Sequence, residues 1–255
     1  MTFLPVASLP VTPRALGLPF EDLFPVTEDG LRLHGWFVPG RDRDSAHSRS
    51  RPPLTILFFH GNAENIASYL PLARLTHLAG YNLFLLDYRG YGRSEGHPSE
   101  KGIDLDGEAA RRTLAGRADV DPARLVLWGR SIGSAVAVHL AASGEPVAGL
   151  VLQSPFTSAR DLLREGGYVI LYALSWLGSY RFDMESDIAK VTAPVLVVHG
   201  TEDEVVPFRL GRRLLDRAAG RKEFFAIEGG GHNDLMALHA EELWGGVSRF
   251  LATLE

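Results

Sequence analysis

The sequence contains no cysteine. That one absence excludes disulfide frameworks, thiolate metal sites, iron–sulfur clusters, cysteine nucleophiles and S-acylated anchors together. A surplus of positive charge is missing too. The chain has 26 Lys and Arg against 31 Asp and Glu, a formal net charge of −5, so no global basic field argues for nucleic acid. Long apolar runs are also lacking: the longest apolar-looking stretch, Tyr168–Leu177, reaches about half a bilayer span. Met1–Leu18 carries Pro5, Pro10 and Pro13 and no basic residue before Arg14, which is unlike a secretory signal. A soluble, cytoplasmic protein is the expectation. No Walker pattern, no G-x-G-x-x-G opening a helix and no zinc-spaced histidine pair occurs, so neither a phosphate-cradling glycine loop nor a metal site is expected.

The composition that remains is that of a globular protein. Over 255 residues, 45% are hydrophobic and 22% charged, which is enough for a full core. Short apolar runs that stop at glycine or a polar turn predict buried strands: Leu54–Phe59, Asn82–Leu86, Arg124–Trp128, Val147–Leu152, Pro194–Val198 and Lys222–Ile227. Helical composition lies between them at Glu64–Ala79, Ser99–Ala115, Ser131–Ala142 and Phe208–Ala219. Strand and helix alternating at this spacing predict an α/β fold, a mostly parallel sheet with helices on both faces. Leu31–Val38 alternates after the turn signal Glu28-Asp29-Gly30 and is expected to open the sheet as an antiparallel hairpin. Arg41–Pro53 reads as an exposed polar loop. We expect a single domain over residues 1–255, with residues 156–191 as a small lid insertion.

The chemistry concentrates in three places. Gly129-Arg130-Ser131-Ile132-Gly133 directly follows one predicted strand and precedes a helix of small residues. A serine there sits on a sharp strand-to-helix turn with its hydroxyl above the sheet, and the Ile132 amide points toward developing negative charge. Gly92-Arg93-Ser94-Glu95-Gly96 fits the same G-x-S-x-G pattern, yet neither a strand precedes it nor a helix follows it. Ser131, not Ser94, is therefore the expected nucleophile. After the strand at Pro194–Val198 comes His199-Gly200-Thr201-Glu202-Asp203-Glu204. Asp203, third after the glycine, can fold back over the sheet; Glu202 is the next choice, and Glu202 and Glu204 are expected to point to solvent. After the last strand, Gly229-Gly230-Gly231-His232 forms a loop free to adopt positive φ and to bring the imidazole near the other strand ends.

Asn233 or Asp234 should then cap the last helix. A histidine can take the serine proton and return it, and a buried carboxylate fixes its tautomer. His60 and His199, each before a glycine at a strand end, read as structural. The second amide of an oxyanion hole is expected from the turn His60-Gly61-Asn62-Ala63, with Asn62 favoured over Ala63.

Taken in order, His60-Gly61-Asn62, Asp87-Tyr88-Arg89-Gly90-Tyr91-Gly92-Arg93-Ser94, Gly129–Gly133, His199–Pro207 and Gly231-His232 resemble the α/β-hydrolase superfamily from about residue 20 to the end. The wording is similar to the subgroup of eukaryotic α/β-hydrolase-domain proteins that includes membrane-anchored protein depalmitoylases. The resemblance implies a serine hydrolase with Ser131, Asp203 and His232 as its triad, the amides of Asn62 and Ile132 as its oxyanion hole, and no cofactor. The sequence shows no transmembrane anchor and no amino-terminal cysteine cluster, so hydrolysis of a small acyl ester or thioester by a soluble enzyme is the expectation. Relatives that open epoxides or dehalogenate carry aspartate at the elbow, and Ser131 argues against them. Two other readings compete: a hydrolase-fold binding protein without catalysis, and a peripheral membrane hydrolase that touches lipid through residues 168–177. Acyl-chain length and oligomeric state are not legible in the sequence.

Overall fold

The computed structural model describes residues 3–41, 51–166 and 180–255, and they divide into two compact units. The expected loop over Arg41–Pro53 and the membrane contact over residues 168–177 fall largely or wholly outside the described residues. Among those that are described, no helix is long and apolar enough to cross a membrane.

The unit formed by Phe3–Leu127 and Pro146–Ala148 contains β1 (Glu21–Leu23), β2 (His34–Val38), β3 (Thr55–Phe59) and β4 (Asn82–Asp87), ordered β1-β2-β4-β3. β1 and β2 pair antiparallel, as do β2 and β4, whereas β3 and β4 run parallel. Every residue of β2, β3 and β4 is buried, and this explains why β3 and β4 read as unbroken apolar runs rather than as alternation. The expected turn forms where Val26 and Arg32 bridge antiparallel.

α1 (Leu70–Leu78) is shorter than expected. The Asn65 side chain accepts the Ala67 N–H and starts a separate 3₁₀ turn, Ile66–Tyr69, before the α-helix begins. α2 (Glu100–Ala115) is capped by Ser99, whose side chain accepts the Gly102 N–H.

α2 also buries Asp106, completely, beside Arg89. Arg89 Nε donates to Asp106 Oδ1 at 2.8 Å and the Arg89 N–H to Oδ2 at 2.8 Å. The same guanidinium forks onto Asp29 at 2.8 and 3.1 Å. Burial pushes the Asp106 carboxyl up to about 6, against the opposing pull of Arg89. Ser94 belongs to the same region: its hydroxyl donates to the Asp87 carbonyl at 2.7 Å and accepts the His34 N–H at 2.8 Å.

β5 (Leu125–Arg130) begins in this unit and ends in the other. The second unit continues with α3 (Gly133–Ala142), β6 (Gly149–Gln153), α4 (Ala159–Glu165), α5 (Met184–Ile188), β7 (Val195–Gly200), α6 (Phe208–Arg217), β8 (Lys222–Ile227) and α7 (Ala240–Ala252). β6, β7 and β8 are parallel neighbours, so the loops that follow them leave from one end. α3 is apolar on nearly all sides and nearly all of it is buried, as a helix without a polar face must be. β8 is only partly buried and starts with Lys222-Glu223, the charged dress of an edge strand. Of the expected insertion, α4 and α5 are described, and both are tied to α6: Arg209 to Glu165, and Arg213 and Arg217 to Glu185 at 2.8 and 2.9 Å.

Replacing Arg89 by Met leaves the buried Asp106 without its cation. We expect Arg89→Met to lower unfolding free energy in urea near neutral pH by about 3–5 kcal/mol. The penalty should shrink as pH falls, because a protonated Asp106 needs no cation. A loss that is constant with pH would contradict this account.

Candidate active site

Ser131 sits on the turn from β5 into α3 with φ +51°, a left-handed conformation that a serine adopts only under constraint. The constraint is close backbone packing. A Cβ on Gly129 would overlap the backbone of Gly133 and Ser134. The Ser131 N–H donates to the Gln153 carbonyl at 2.8 Å, and the Ser134 hydroxyl donates to the Gly129 carbonyl at 3.0 Å. These bonds hold the end of β5 against the end of β6 and the first turn of α3. Ile132 occupies the N-cap position of that helix, so its amide belongs to the helix's electropositive end.

β7 ends at Gly200, where a Cβ would overlap the backbone of Gly230 in the loop after β8. The two loops therefore run backbone against backbone, with the Glu202 N–H on the Gly230 carbonyl at 3.0 Å. Asp203 then folds inward. Its Oδ1 accepts the N–H groups of Val205 and Val206 at 3.1 and 2.7 Å, a local turn that aims the carboxylate away from solvent. Of the three glycines before His232, only Gly229 has positive φ, at +69°. A Cβ on Gly230 would meet the Leu235 side chain, so that glycine answers to packing within its own loop.

The structure brings Ser131, Asp203 and His232 together, and each is at least nine-tenths buried. His232 Nδ1 lies 2.8 Å from Asp203 Oδ2 and 3.0 Å from Oδ1. His232 Nε2 lies 3.2 Å from Ser131 Oγ. A carboxylate on Nδ1 assigns the Nδ1–H tautomer and leaves the Nε2 lone pair facing the serine hydroxyl. Burial pushes the Asp203 carboxyl up, but hydrogen bonds from His199 and His232, the His232 charge and the Val206 N–H outweigh it. The carboxyl is held well below the usual carboxylate range. The three groups form a hydrogen-bonded line from a carboxylate through an imidazole to a hydroxyl.

Other residues singled out in the sequence lie outside this line. Asn62 follows β3 in the first unit, where its Oδ1 accepts the Tyr91 hydroxyl and the Leu4 N–H, both at 2.8 Å. Asn233 and Asp234 do not cap the last helix, which starts at Ala240 after His239. Asp234 Oδ1 instead accepts the Gly231 N–H at 2.8 Å, and its carbonyl accepts the N–H groups of Ala237 and Leu238. The chain spends these acceptors closing the histidine loop, so the helix starts later. Glu202 and Glu204 are exposed, but Glu204 also turns back, and its Oε2 accepts the His232 N–H at 3.2 Å.

Three neighbours of the site carried no functional expectation: Glu204, Arg130 and His199. Arg130 Nη2 donates to the His232 carbonyl and to Asn233 Oδ1, both at 3.0 Å. His199 Nε2 lies 2.9 Å from the Val206 carbonyl and 3.3 Å from Asp203 Oδ2. Only the placement of Arg130 inside the elbow and of His199 four residues before Asp203 could have flagged them. Among the described residues, no cluster of three or more metal-ligating side chains is arranged to hold an ion.

Known proteins resemble the chain in sequence and in fold. The sequence model of the family described as serine aminopeptidase, S33, matches residues 50–181. An uncharacterized protein of Mycobacterium tuberculosis is 40% identical over 236 residues, covering 91% of this chain and 79% of its own. The alpha/beta hydrolase domain-containing protein WAV2 of Arabidopsis thaliana is 37% identical over 257 residues, covering 93% of this chain and 80% of its own. Among solved structures, the Pyrococcus furiosus esterase Pf2001 superposes with a TM-score of 0.79 at 20% identity, over 100% of this chain and 97% of that one. An acetyl xylan esterase from Paenibacillus sp. R4 superposes with a TM-score of 0.71 at 20% identity, over 99% and 88%. The fold is the one expected from the sequence, eight mostly parallel strands with helices.

The depressed Asp203 carboxyl makes a signed prediction about stability. A group whose pKa falls on folding stabilises the native state above its unfolded value, about 3.9, and this contribution is lost as pH drops below that value toward the folded one. Asp203→Asn lacks it. Urea unfolding should therefore show wild type more stable than Asp203→Asn near neutral pH, with the gap closing below about pH 4. A gap that widens on acidification would contradict the electrostatic assignment.

Proposed function

The chain belongs to the α/β-hydrolase superfamily, in the family described as serine aminopeptidase, S33, and from that premise we propose that it is a serine hydrolase cleaving carboxylic esters or thioesters through an acyl-enzyme on Ser131. The observation that carries this reading is the continuous hydrogen-bonded line from Ser131 Oγ through the His232 ring to Asp203. His232 Nε2 takes the hydroxyl proton as Oγ attacks the substrate carbonyl, and Asp203 holds the tautomer and stabilises the imidazolium. The negative charge on the carbonyl oxygen is met by the Ile132 amide, with Asn62 as the second donor expected from the sequence. His232 returns its proton to the departing alcohol or thiol. A water then enters and loses a proton to the same nitrogen as it attacks the acyl carbonyl; the bond to Ser131 Oγ breaks, His232 returns the proton to Oγ, and the carboxylic acid is released.

The nucleophile, the base and the orienting carboxylate all come from the protein, so the proposed reaction calls on no cofactor, and its substrates are small acyl esters or thioesters. The chain acts as one hydrolase domain in which residues 156–191 shape the acyl site. The names of the two esterases with similar folds favour ester substrates, whereas the family description names an aminopeptidase.

Nitrophenyl esters of graded chain length, an acyl thioester and leucine nitroanilide form the test panel. Wild type should cleave the esters and be labelled at Ser131 by a fluorophosphonate, and Ser131→Ala should lose roughly 10³–10⁶-fold in kcat/KM. Hydrolysis retained in Ser131→Ala would overturn the nucleophile. Absence of labelling in folded wild type would favour a binding protein, and faster cleavage of the nitroanilide would favour a peptidase.

A further inference from the structure

The residue before the nucleophile is Arg130, and its side chain is almost fully buried, 8% exposed. An arginine is an expensive group to bury unless its donors are used. Two of them, both on Nη2, go to the histidine loop: one to the His232 carbonyl and one to Asn233 Oδ1, each at 3.0 Å. The His232 backbone is thus gripped from both sides, by Arg130 at its carbonyl and by Glu204 at its N–H.

The imidazole has a third tether at Nδ1, on Asp203. These tethers act on different freedoms. Asp203 sets the rotation of the ring, whereas Arg130 sets how far the whole residue stands from the turn that carries Ser131. The serine is Arg130's covalent neighbour, so that distance is spanned by one side chain although 101 residues separate the serine and the histidine in sequence.

We propose that Arg130 is a positioning residue that sets the Ser131–His232 separation through the His232 carbonyl. The inference rests on the acyl-enzyme reading and goes beyond it. A guanidinium suits the task because one planar NH₂ serves two acceptors in a fixed geometry, which a lysine ammonium cannot reproduce. Loosening the contact withdraws the base from the hydroxyl without touching the substrate. The loss therefore falls on the chemical steps in which His232 moves a proton rather than on binding.

The experiment measures kcat and KM on a nitrophenyl ester and the rate of fluorophosphonate labelling, each per labelled site so that only folded molecules count. Arg130→Gln should lose about 10–100-fold in kcat, as a misplacement of about an ångström does, with labelling slowed in parallel and KM within about twofold. Arg130→Lys should recover part of the rate. Asn233→Ala, which removes one acceptor and leaves the buried cation in place, should give a smaller loss of the same kind. Unchanged kcat per labelled site in Arg130→Gln and Asn233→Ala would overturn the proposal while leaving the nucleophile standing, and so would a loss confined to KM. Failure of wild type to label at Ser131 would remove the reading beneath it, and the proposal with it.

Discussion

The turn from β5 into α3 leaves no room for a side chain on Gly129 and holds Ser131 at φ +51°. A non-glycine residue in that region is strained by of order 1–3 kcal/mol and persists only where its surroundings over-determine it. Here they do. The Ser131 N–H is fixed on Gln153, the Ser134 hydroxyl returns to Gly129, and α3 behind them is buried along nearly its whole length. Small residues at the start of α3 allow the close approach, and the close approach lifts the serine hydroxyl clear of the sheet. Local sequence, packing and chemistry are one constraint at this position.

Two buried aspartates show how differently the protein treats the same group. Asp106 has an arginine beside it, and burial still raises its carboxyl to about 6. Asp203 is buried too, but two backbone N–H groups and two imidazoles converge on it, and its carboxyl is held well below the usual range. The number of donors decides, more than the presence of a full charge. Asp106 serves packing, linking α2 to the segment after β4. Asp203 faces two imidazoles, and its donors favour the ionised form.

Much of this was legible in the sequence because the relevant signals are local. β3, β4 and β7 read as apolar runs since they are wholly buried, and the strand-to-helix setting of Ser131 set it apart from Ser94. The turn chemistry after β7 singled out Asp203 among three adjacent acids. What local pattern did not show was tertiary. The hold of Arg130 on the His232 carbonyl spans 102 residues, and no spacing rule relates an elbow arginine to a loop after β8. The late start of α7 has a similar cause: Asp234 is an acceptable cap by type, but the loop's own amides claim its oxygens first. Glu204 was expected to face only solvent because it is charged and exposed, yet an exposed carboxylate still reaches a backbone N–H one loop away.

His199 and His232 divide two tasks that one imidazole could not perform. His199 Nε2 faces the Val206 carbonyl and Asp203 Oδ2, both acceptors, so its proton sits on that nitrogen. Its Nδ1 is pressed against Gly211, where a Cβ would overlap it, and has no hydrogen-bond partner among the described residues. That ring can steady the turn after β7 and the carboxylate, but it has no free path for a proton to travel. His232 contacts the same carboxylate through Nδ1 and presents Nε2 to a hydroxyl. One ring has its second nitrogen packed against a glycine, and the other has it on a hydroxyl. The second nitrogen of each ring goes to a different place: Nδ1 of His199 packs against Gly211, where only a residue without Cβ leaves it room, and Nε2 of His232 faces the Ser131 hydroxyl.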